Sequence, residues 1–294
     1  MMFFFLIKMT DWSYSIFIII IKTNTMSKTI LITGASKGFG RAWAEEFLAK
    51  GYNVAATARN LESLNDLKKK YGASIFPLQL DVNKREESLE VVQKVKKHFG
   101  TIDVLINNAG YALTGAVEEA SEQEAREQFE TNFFGTLWLT QAVLPIMREQ
   151  KSGHIIQVSS ILGLATLPTA MGLYSASKFA VEGLSETLAS EVKQFGIHVT
   201  LLEPNGYESN IWHTGITSES LPFYDEIKKA QAERENIFGK VAATAPAVVN
   251  LVENENPPLR LLLGKVALPF VKQSYEQRLE NWEKWNDVSV EAHG

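Results

Sequence analysis

Strand and helix signals alternate along this chain from Thr29 onward, and that alternation limits its fold more than any other feature. Thr29-Ile30-Leu31-Ile32-Thr33 is a short β-branched, apolar run suited to a strand buried on both faces. A glycine-rich turn, Gly34-Ala35-Ser36-Lys37-Gly38-Phe39-Gly40, follows directly. Arg41 to Lys50 then reads as an amphipathic helix stopped by Gly51. The same unit recurs as strand Val54–Thr57, helix Leu61–Tyr71, strand Ile75–Leu80, helix Lys84–Phe99 closed by Gly100, and strand Val104–Asn107. One long helix is expected over Glu122–Glu149, kinked near Pro145. A strand over His154–Ser159, a second long helix over Gly172–Gln194 and a strand over His198–Leu202 come next. Pro257–Gly264 and Leu268–Trp285 supply a last strand and helix. Units of this kind imply an α/β fold of the Rossmann type, a doubly wound parallel sheet with helices on both faces. Ligands of such sheets sit at the carboxyl ends of the strands.

Composition removes several function classes. The 45% of apolar residues is ample for one core, and no repeat or low-complexity linker divides residues 26–294. A formal net charge of −5 opposes a nucleic-acid surface, which needs a basic field. With no cysteine there are no disulfides, no thiolate nucleophile and no cysteine-ligated zinc. The histidines are isolated and no metal site is expected. Residues 1–25 differ from the rest. Phe3-Phe4-Phe5-Leu6-Ile7 and Ile16-Phe17-Ile18-Ile19-Ile20-Ile21 are greasy, but Lys8, Asp11 and two Ser interrupt them. Neither approaches the ~20 uninterrupted apolar residues of a spanning helix, and Lys22-Thr23-Asn24-Thr25 is a poor signal-peptide cleavage site. Met26-Ser27-Lys28 reads like a natural start just before the first strand. An upstream-extended start is the preferred explanation and a tethering segment the alternative. A cytoplasmic protein without membrane association is expected.

The glycine turn lies between a strand and a helix, where bare N–H groups and a helix N-terminus favour a pyrophosphate. Its spacing is Gly-x-x-x-Gly-x-Gly. The third glycine of Gly-x-Gly-x-x-Gly would fall at Trp43, so that fingerprint fails. The stretch Gly34-Ala35-Ser36-Lys37-Gly38 also satisfies the Gly-x-Ser-x-Gly elbow of α/β-hydrolases, with Ser36 as nucleophile. That reading needs an acid and a downstream histidine, and His198, His213 and His293 have no distinctive surroundings. The second strand ends at Ala58-Arg59, about twenty residues past the turn, where a carboxylate would select NAD and an arginine a 2′-phosphate. Ala58 lacks the acid, while Lys37 and Arg59 supply two cations, so the cofactor expected is NADP(H).

Tyr174 and Lys178 lie four residues apart, on one face of the second long helix, and Ser160 ends a strand upstream. A phenol titrates near pH ~10, too high for a proton donor at neutrality unless a cation stabilises the phenolate. A Lys held close can supply part of that stabilisation. Taken alone, the pair reads more readily as a chance pair on an exposed helix; its companions give it meaning.

With these motifs in order, the chain resembles the short-chain dehydrogenase/reductase family over Met26 to Gly264. The matching segments are Thr33-Gly34-x-x-x-Gly38-x-Gly40, Leu80-Asp81-Val82, Asn107-Asn108-Ala109-Gly110, Thr131-Asn132-Phe133-Phe134-Gly135, Ser160-Ile161-Leu162-Gly163, and Tyr174 with Lys178. The resemblance implies that Asp81 and Val82 meet the adenine and that Asn108, Ala109 and Gly110 border the cofactor. It further implies that the Asn132 carbonyl helps hold a water near the lysine. Ser160 would bond the substrate oxygen, Tyr174 would exchange its proton, and Lys178 would lower the phenol and hold the nicotinamide ribose. Two departures stand out. The Ser160–Tyr174 loop is one residue longer than the family's usual spacing, which leaves Ser159 as an alternative pointing to the opposite side of the strand. After the sixth strand, Glu203-Pro204-Asn205-Gly206-Tyr207-Glu208-Ser209 replaces the usual Pro-Gly. Pro204, Gly206 and Ser209 remain expected cofactor contacts.

Residues 207–239 are expected to form a substrate lid, apolar and aromatic through Ile211, Trp212, Ile216, Leu221, Phe223 and Tyr224. With Leu162, Leu164, Leu167 and Met171 near the serine, a small hydrophobic carbonyl or secondary alcohol is the expected substrate. The tail resembles members grouped as 17β-hydroxysteroid-dehydrogenase-like. The resemblance also implies a homodimer or homotetramer, through the two long helices. A catalytically silent NADP(H)-binding sensor or scaffold is the rival reading, opposed by the presence of Asn132, Ser160, Tyr174 and Lys178 together.

Overall fold

In the computed structural model the chain is described over residues 27–167, 170–209, 215–233 and 237–294. Residues 1–25, and with them the question of a tether, lie outside this range, as do Ile211, Trp212 and His213. Seven strands form one parallel sheet: β1 (Thr29–Ile32), β2 (Asn53–Ala58), β3 (Ile75–Gln79), β4 (Val104–Asn107), β6 (Gly153–Val158), β7 (Ile197–Pro204) and β9 (Arg260–Leu263). Their order across the sheet is β3-β2-β1-β4-β6-β7-β9, the doubly wound arrangement that the alternation predicts. A small parallel pair, β5 (Leu113–Thr114) and β8 (Ile216–Thr217), stands apart.

The period-two geometry of β1 divides the core. Ile30 and Ile32 face α1 (Gly38–Ala49) and α8 (Ala245–Glu253), where Trp43, Phe47, Val248 and Val252 bury their side chains. Leu31 faces the other layer, built by α3 (Arg85–Phe99), α5 (Gly135–Gln150) and α6 (Gly172–Val192) through Val92, Val95, Leu139, Val143 and Leu188. Each such side chain, taken fully out of water, contributes roughly 1.5–3 kcal/mol. Helix α2 (Asn65–Tyr71) joins the first layer through Leu67, after a 3-10 turn over Leu61–Leu64. Trp43 also donates its indole N–H to Thr244 Oγ1 at 2.8 Å, which fixes α1 to the start of α8.

Between the layers runs a polar seam. Asn107 at the end of β4 donates to Gln157 Oε1 of β6 (2.8 Å) and to Thr140 Oγ1 of α5 (3.1 Å), and Gln157 donates to the same hydroxyl (3.0 Å). All three side chains are buried, so the bonds offset a desolvation cost that would otherwise fall on each of them.

The expected single helix over Glu122–Glu149 is corrected. It is α4 (Glu122–Phe129), a wide π-helical turn over Glu130–Phe134, and then α5. The interruption falls at Asn132, and Pro145 is carried within α5. A π turn accommodates an extra residue in the helical ladder and is often found at functional sites. Beyond α6 the chain passes through β7, β8, α7 (Asp225–Ala232), α8 and β9 to α9 (Ala267–Lys284) and α10 (Asn286–Glu291). No described helix is long and apolar enough to cross a membrane.

One buried group sets an acid limit. His154 in β6 bonds Thr200 Oγ1 through Nε2 (2.9 Å), and burial, with His198 and Lys28 adding to it, pushes its pKa down to about 3. The unfolded chain takes up that proton near pH ~6.5 and the folded one does not, so stability drops as pH falls from 6.5 towards 3. His154→Gln should flatten that limb. Thermal melts between pH 7 and 4 test it: an unchanged acid slope in the variant would assign the effect elsewhere.

Candidate active site

The carboxyl ends of the strands enclose a cleft of about 440 Å³, within the usual range for a small-molecule site. Its floor is the glycine turn. Gly34 takes φ +66° and Gly38 φ +58°, left-handed values that side chains resist. A Cβ on Gly34 would lie 3.0 Å from Ala109 Cα, whereas one on Gly38 would meet nothing within 4 Å. Gly38 therefore opens onto free space that a ligand can approach. Gly40 has a different task. A Cβ there would sit 2.5 Å from Asn108 Nδ2 and 2.6 Å from the Gly34 carbonyl, so it lets α1 press against the end of β4.

Thr33 closes this corner. Its hydroxyl accepts the backbone N–H groups of Asn108 and Ala109, both at 2.9 Å. The Asn108 amide in return donates to the carbonyls of Thr33 (2.8 Å) and Gly34 (3.2 Å). Lys37 begins α1 without a side-chain cap, which leaves the first-turn N–H groups to the cleft.

Of the residues expected at the cofactor, Gly34, Ser36, Lys37, Gly38, Phe39, Arg59, Asp81, Val82, Asn108, Ala109, Gly110, Tyr174, Lys178, Pro204 and Ser209 line this one cleft. Lys37 and Arg59 are exposed at its rim, and neither is in an ion pair with a described residue. Two expected contacts stand back from the wall. Gly40 is committed to helix packing, and Gly206 lies under the Phe238 ring, with its carbonyl accepting from Gly239. Of the lid residues, Ile216 reaches the cleft. Phe223 is 85% exposed, Tyr224 donates to Glu118, and Leu221 is tied through its N–H to Glu119. Among the described residues no hydrogen bond joins Ser36 to a histidine, and His198 lies edge-on to His154 at the amino-terminal side of β6 and β7, the opposite end of the sheet.

Tyr174, Lys178 and Ser160 come together at the inner end. Tyr174 is buried, with Lys178 Nζ 5.8 Å from its ring centroid and donating to the Val158 carbonyl at 2.7 Å. Ser160 accepts from the Leu162 N–H (3.1 Å) and faces the phenol. The hydroxyl of Ser159 lies instead against Gly163 and Glu182, the opposite side of the strand. One electrostatic expectation is corrected. Burial pushes the Tyr174 phenol up to about 12, opposed by Ser160, and it pushes the Lys178 ammonium down to about 8, opposed by Glu182. On the phenol, desolvation outweighs the opposing hydrogen bond from Ser160.

Asn132 works through its side chain. Its Oδ1 accepts from Tyr111 N–H, and its Nδ2 donates to the Tyr111 carbonyl and to Ser177 Oγ, each at 3.1 Å. The backbone carbonyl of Asn132 accepts from Thr136 Oγ1 at 3.0 Å. The side chain thereby ties the segment after β4 to α6 one residue before Lys178. The cleft has further walls that sequence reading passed over: Tyr111, Glu127 and Thr131. Tyr111 directly follows Asn107-Asn108-Ala109-Gly110, a position that could have drawn attention to it; Glu127 gives no local signal.

Residues 28–219 match the family model for short chain dehydrogenases. A curated oxidoreductase of Botryotinia fuckeliana, BOA17, is 39% identical over 90% of this chain and 99% of its own. A 3-ketodihydrosphingosine reductase of Bacteroides thetaiotaomicron is 38% identical over 80% of this chain and 87% of its own. Among solved structures, a short-chain dehydrogenase from Streptomyces avermitilis superposes with a TM-score of 0.83 at 39% identity, covering 90% of this chain and 98% of that one. ElxO with NADP bound gives 0.72 at 29% identity, covering 83% and 100%. The chain belongs to the short-chain dehydrogenase/reductase family, and it is an oxidoreductase fold of that family in every layer of its sheet.

The bonds made by Asn132 give a direct test. Asn132→Ala strips two hydrogen bonds from the partly buried Tyr111 backbone and one from the buried Ser177, and should lower unfolding free energy by about 2–4 kcal/mol in urea melts. If only the backbone carbonyl mattered, stability would stay at the wild-type value.

Proposed function

We propose that this protein is an NADP(H)-dependent reductase of hydrophobic ketones or aldehydes, with Tyr174 as the proton donor. One observation carries the reading most: a buried tyrosine and a buried lysine line the same cleft whose floor is the glycine turn, and the Ser160 hydroxyl faces that tyrosine. The residues suit a dinucleotide. Gly34 and Gly38 would let backbone approach a pyrophosphate, the uncapped start of α1 offers it N–H groups, and Lys37 and Arg59 at the cleft rim would supply cations for a 2′-phosphate. The NADP bound to the similar ElxO, and the ketone in the name of the Bacteroides relative, support cofactor and substrate class.

NADPH, when bound, supplies the hydride. The chain does the rest. Ser160 offers its hydroxyl to the substrate oxygen, and Tyr174 gives that oxygen its proton as negative charge develops there. Lys178, anchored on the Val158 carbonyl, presents its remaining donors to the cofactor ribose. Holding the three groups in one place converts much of the barrier into prepaid positioning.

Tyr174→Phe should cut NADPH-dependent turnover at least about 10²–10⁴-fold while NADPH affinity, read by nucleotide fluorescence, stays within a few-fold. Appreciable activity in that variant would refute the proton donor. The cofactor assignment is tested separately. Ala58→Asp with Arg59→Ala removes a cation and adds an anion at the 2′ position, and should shift the NADPH:NADH preference roughly 10–100-fold towards NADH. Unchanged cofactor ratios would show that these positions do not face the ribose.

A further inference from the structure

The helix α9 lies beyond the stretch that matches the family model, yet it reaches both segments that carry the active residues. Phe270, in its first turn, is half-buried and packs against the cluster of Ala112, Leu162, Met171 and Tyr174, with Ile161 and Leu167 beside it. Two turns further on, Arg278 donates from Nη1 to the carbonyl of Leu164 at 2.9 Å, in the loop that follows Ser160. The same guanidinium lies 5.6 Å from the centroid of Phe179, the neighbour of Lys178, and 5.5 Å from that of Tyr275 on its own helix. A planar cation between two rings, with one N–H on a carbonyl, is a specific clamp that a lysine would not reproduce.

We propose that α9 is a wall of the substrate site, with Phe270 setting how much apolar substrate fits beyond Tyr174 and Arg278 as the positioning residue that holds the helix there. This rests on the reading of Tyr174 as the group that meets the carbonyl. Among the described residues of the lid expected over 207–239, Ser209 and Ile216 line the cleft, and the apolar side chains clustered with Tyr174 include Ile161, Leu162 and Leu167 of the Ser160 loop and Phe270 of α9. The substrate class follows: an uncharged ketone or aldehyde whose carbonyl sits at Tyr174 and whose hydrocarbon body runs towards Phe270. A site of this kind discriminates by volume, and a methylene gained or lost against a packed wall changes selectivity about tenfold or more.

The experiment uses the full chain and methyl ketones of lengthening n-alkyl tails. Selectivity is read twice, as kcat/KM for NADPH oxidation and as Kd for ketone binding to the NADP⁺-loaded protein. Phe270→Ala should improve the longest ketone relative to the shortest by at least about tenfold, and Phe270→Trp should shift the ratio the other way, with NADPH affinity unchanged in both. Arg278→Ala should raise KM for the long ketones with kcat held, and Arg278→Lys should behave like it. Opposite shifts from the smaller and larger residues at 270 are something a merely structural role would not produce. If wild type turns over the series and the chain-length ratios of both Phe270 variants stay within twofold of it, the wall is overturned while the oxidoreductase reading stands. Length-dependent binding that Phe270→Ala alters, without turnover in the wild type, would keep the wall and sink the reading of the chemistry. Wild-type protein that binds no member of the series overturns the wall.

Discussion

A single threonine hydroxyl holds the working end of this molecule together. Thr33 Oγ1 accepts two N–H groups from the end of β4, and Asn108 answers by donating to the carbonyls of Thr33 and Gly34. These groups are 74 to 76 residues apart in sequence, so the corner exists only once β1 and β4 are paired. Its closeness is what makes Gly40 obligatory, because any side chain there would meet Asn108 or the Gly34 carbonyl. The glycine turn is therefore as much a packing device as a ligand cradle. With the corner closed, the uncapped start of α1, the rim cations and the strand ends all face one space.

The polar seam behind that corner performs the same service for the other half of the site. Asn107, Gln157 and Thr140 satisfy one another inside the sheet and set β4 and β6 in register, which fixes where Ser160 emerges. Asn132 extends the support sideways, from the Tyr111 backbone to Ser177 on α6. The wide helical turn around Asn132 lets its amide leave the helix surface and reach both partners. A regular helix through that point would have gained a cleaner ladder of backbone bonds and lost this brace.

Burial rules the electrostatics of the site. Tyr174 and Lys178 are both withdrawn from water, and withdrawal disfavours the charged form of each: the phenol rises and the ammonium falls. The two shifts move the groups apart on the pH scale, the phenol up to about 12 and the ammonium down to about 8. Glu182, one turn along α6, steadies Lys178 from behind, and it shares Arg260 with the buried Glu203.

Much of this was legible in the chain. Alternating apolar runs and amphipathic helices dictated a parallel, doubly wound sheet, because each period has only one economical way to bury its face. The glycine turn, Asn108, Tyr174 and Lys178 could be placed together since each follows a strand end or shares a helix face. Other features had no local signature. The break at Asn132 lies among weak helix formers, Thr131 to Thr136, that do not by themselves mark a π turn, and Pro145, the obvious breaker, is accommodated. The direction of the Tyr174 shift depends on depth below the surface, which no spacing records. The packing of Phe270 onto the cluster that holds Tyr174 depends on α9 folding back across the Ser160 loop, where Arg278 donates to the Leu164 carbonyl. Local periodicity and turn chemistry are properties of neighbouring residues and so are written in the sequence itself. Burial, and contacts between distant segments, arise only when the sheet brings those segments to one edge, and the tertiary structure alone decides them.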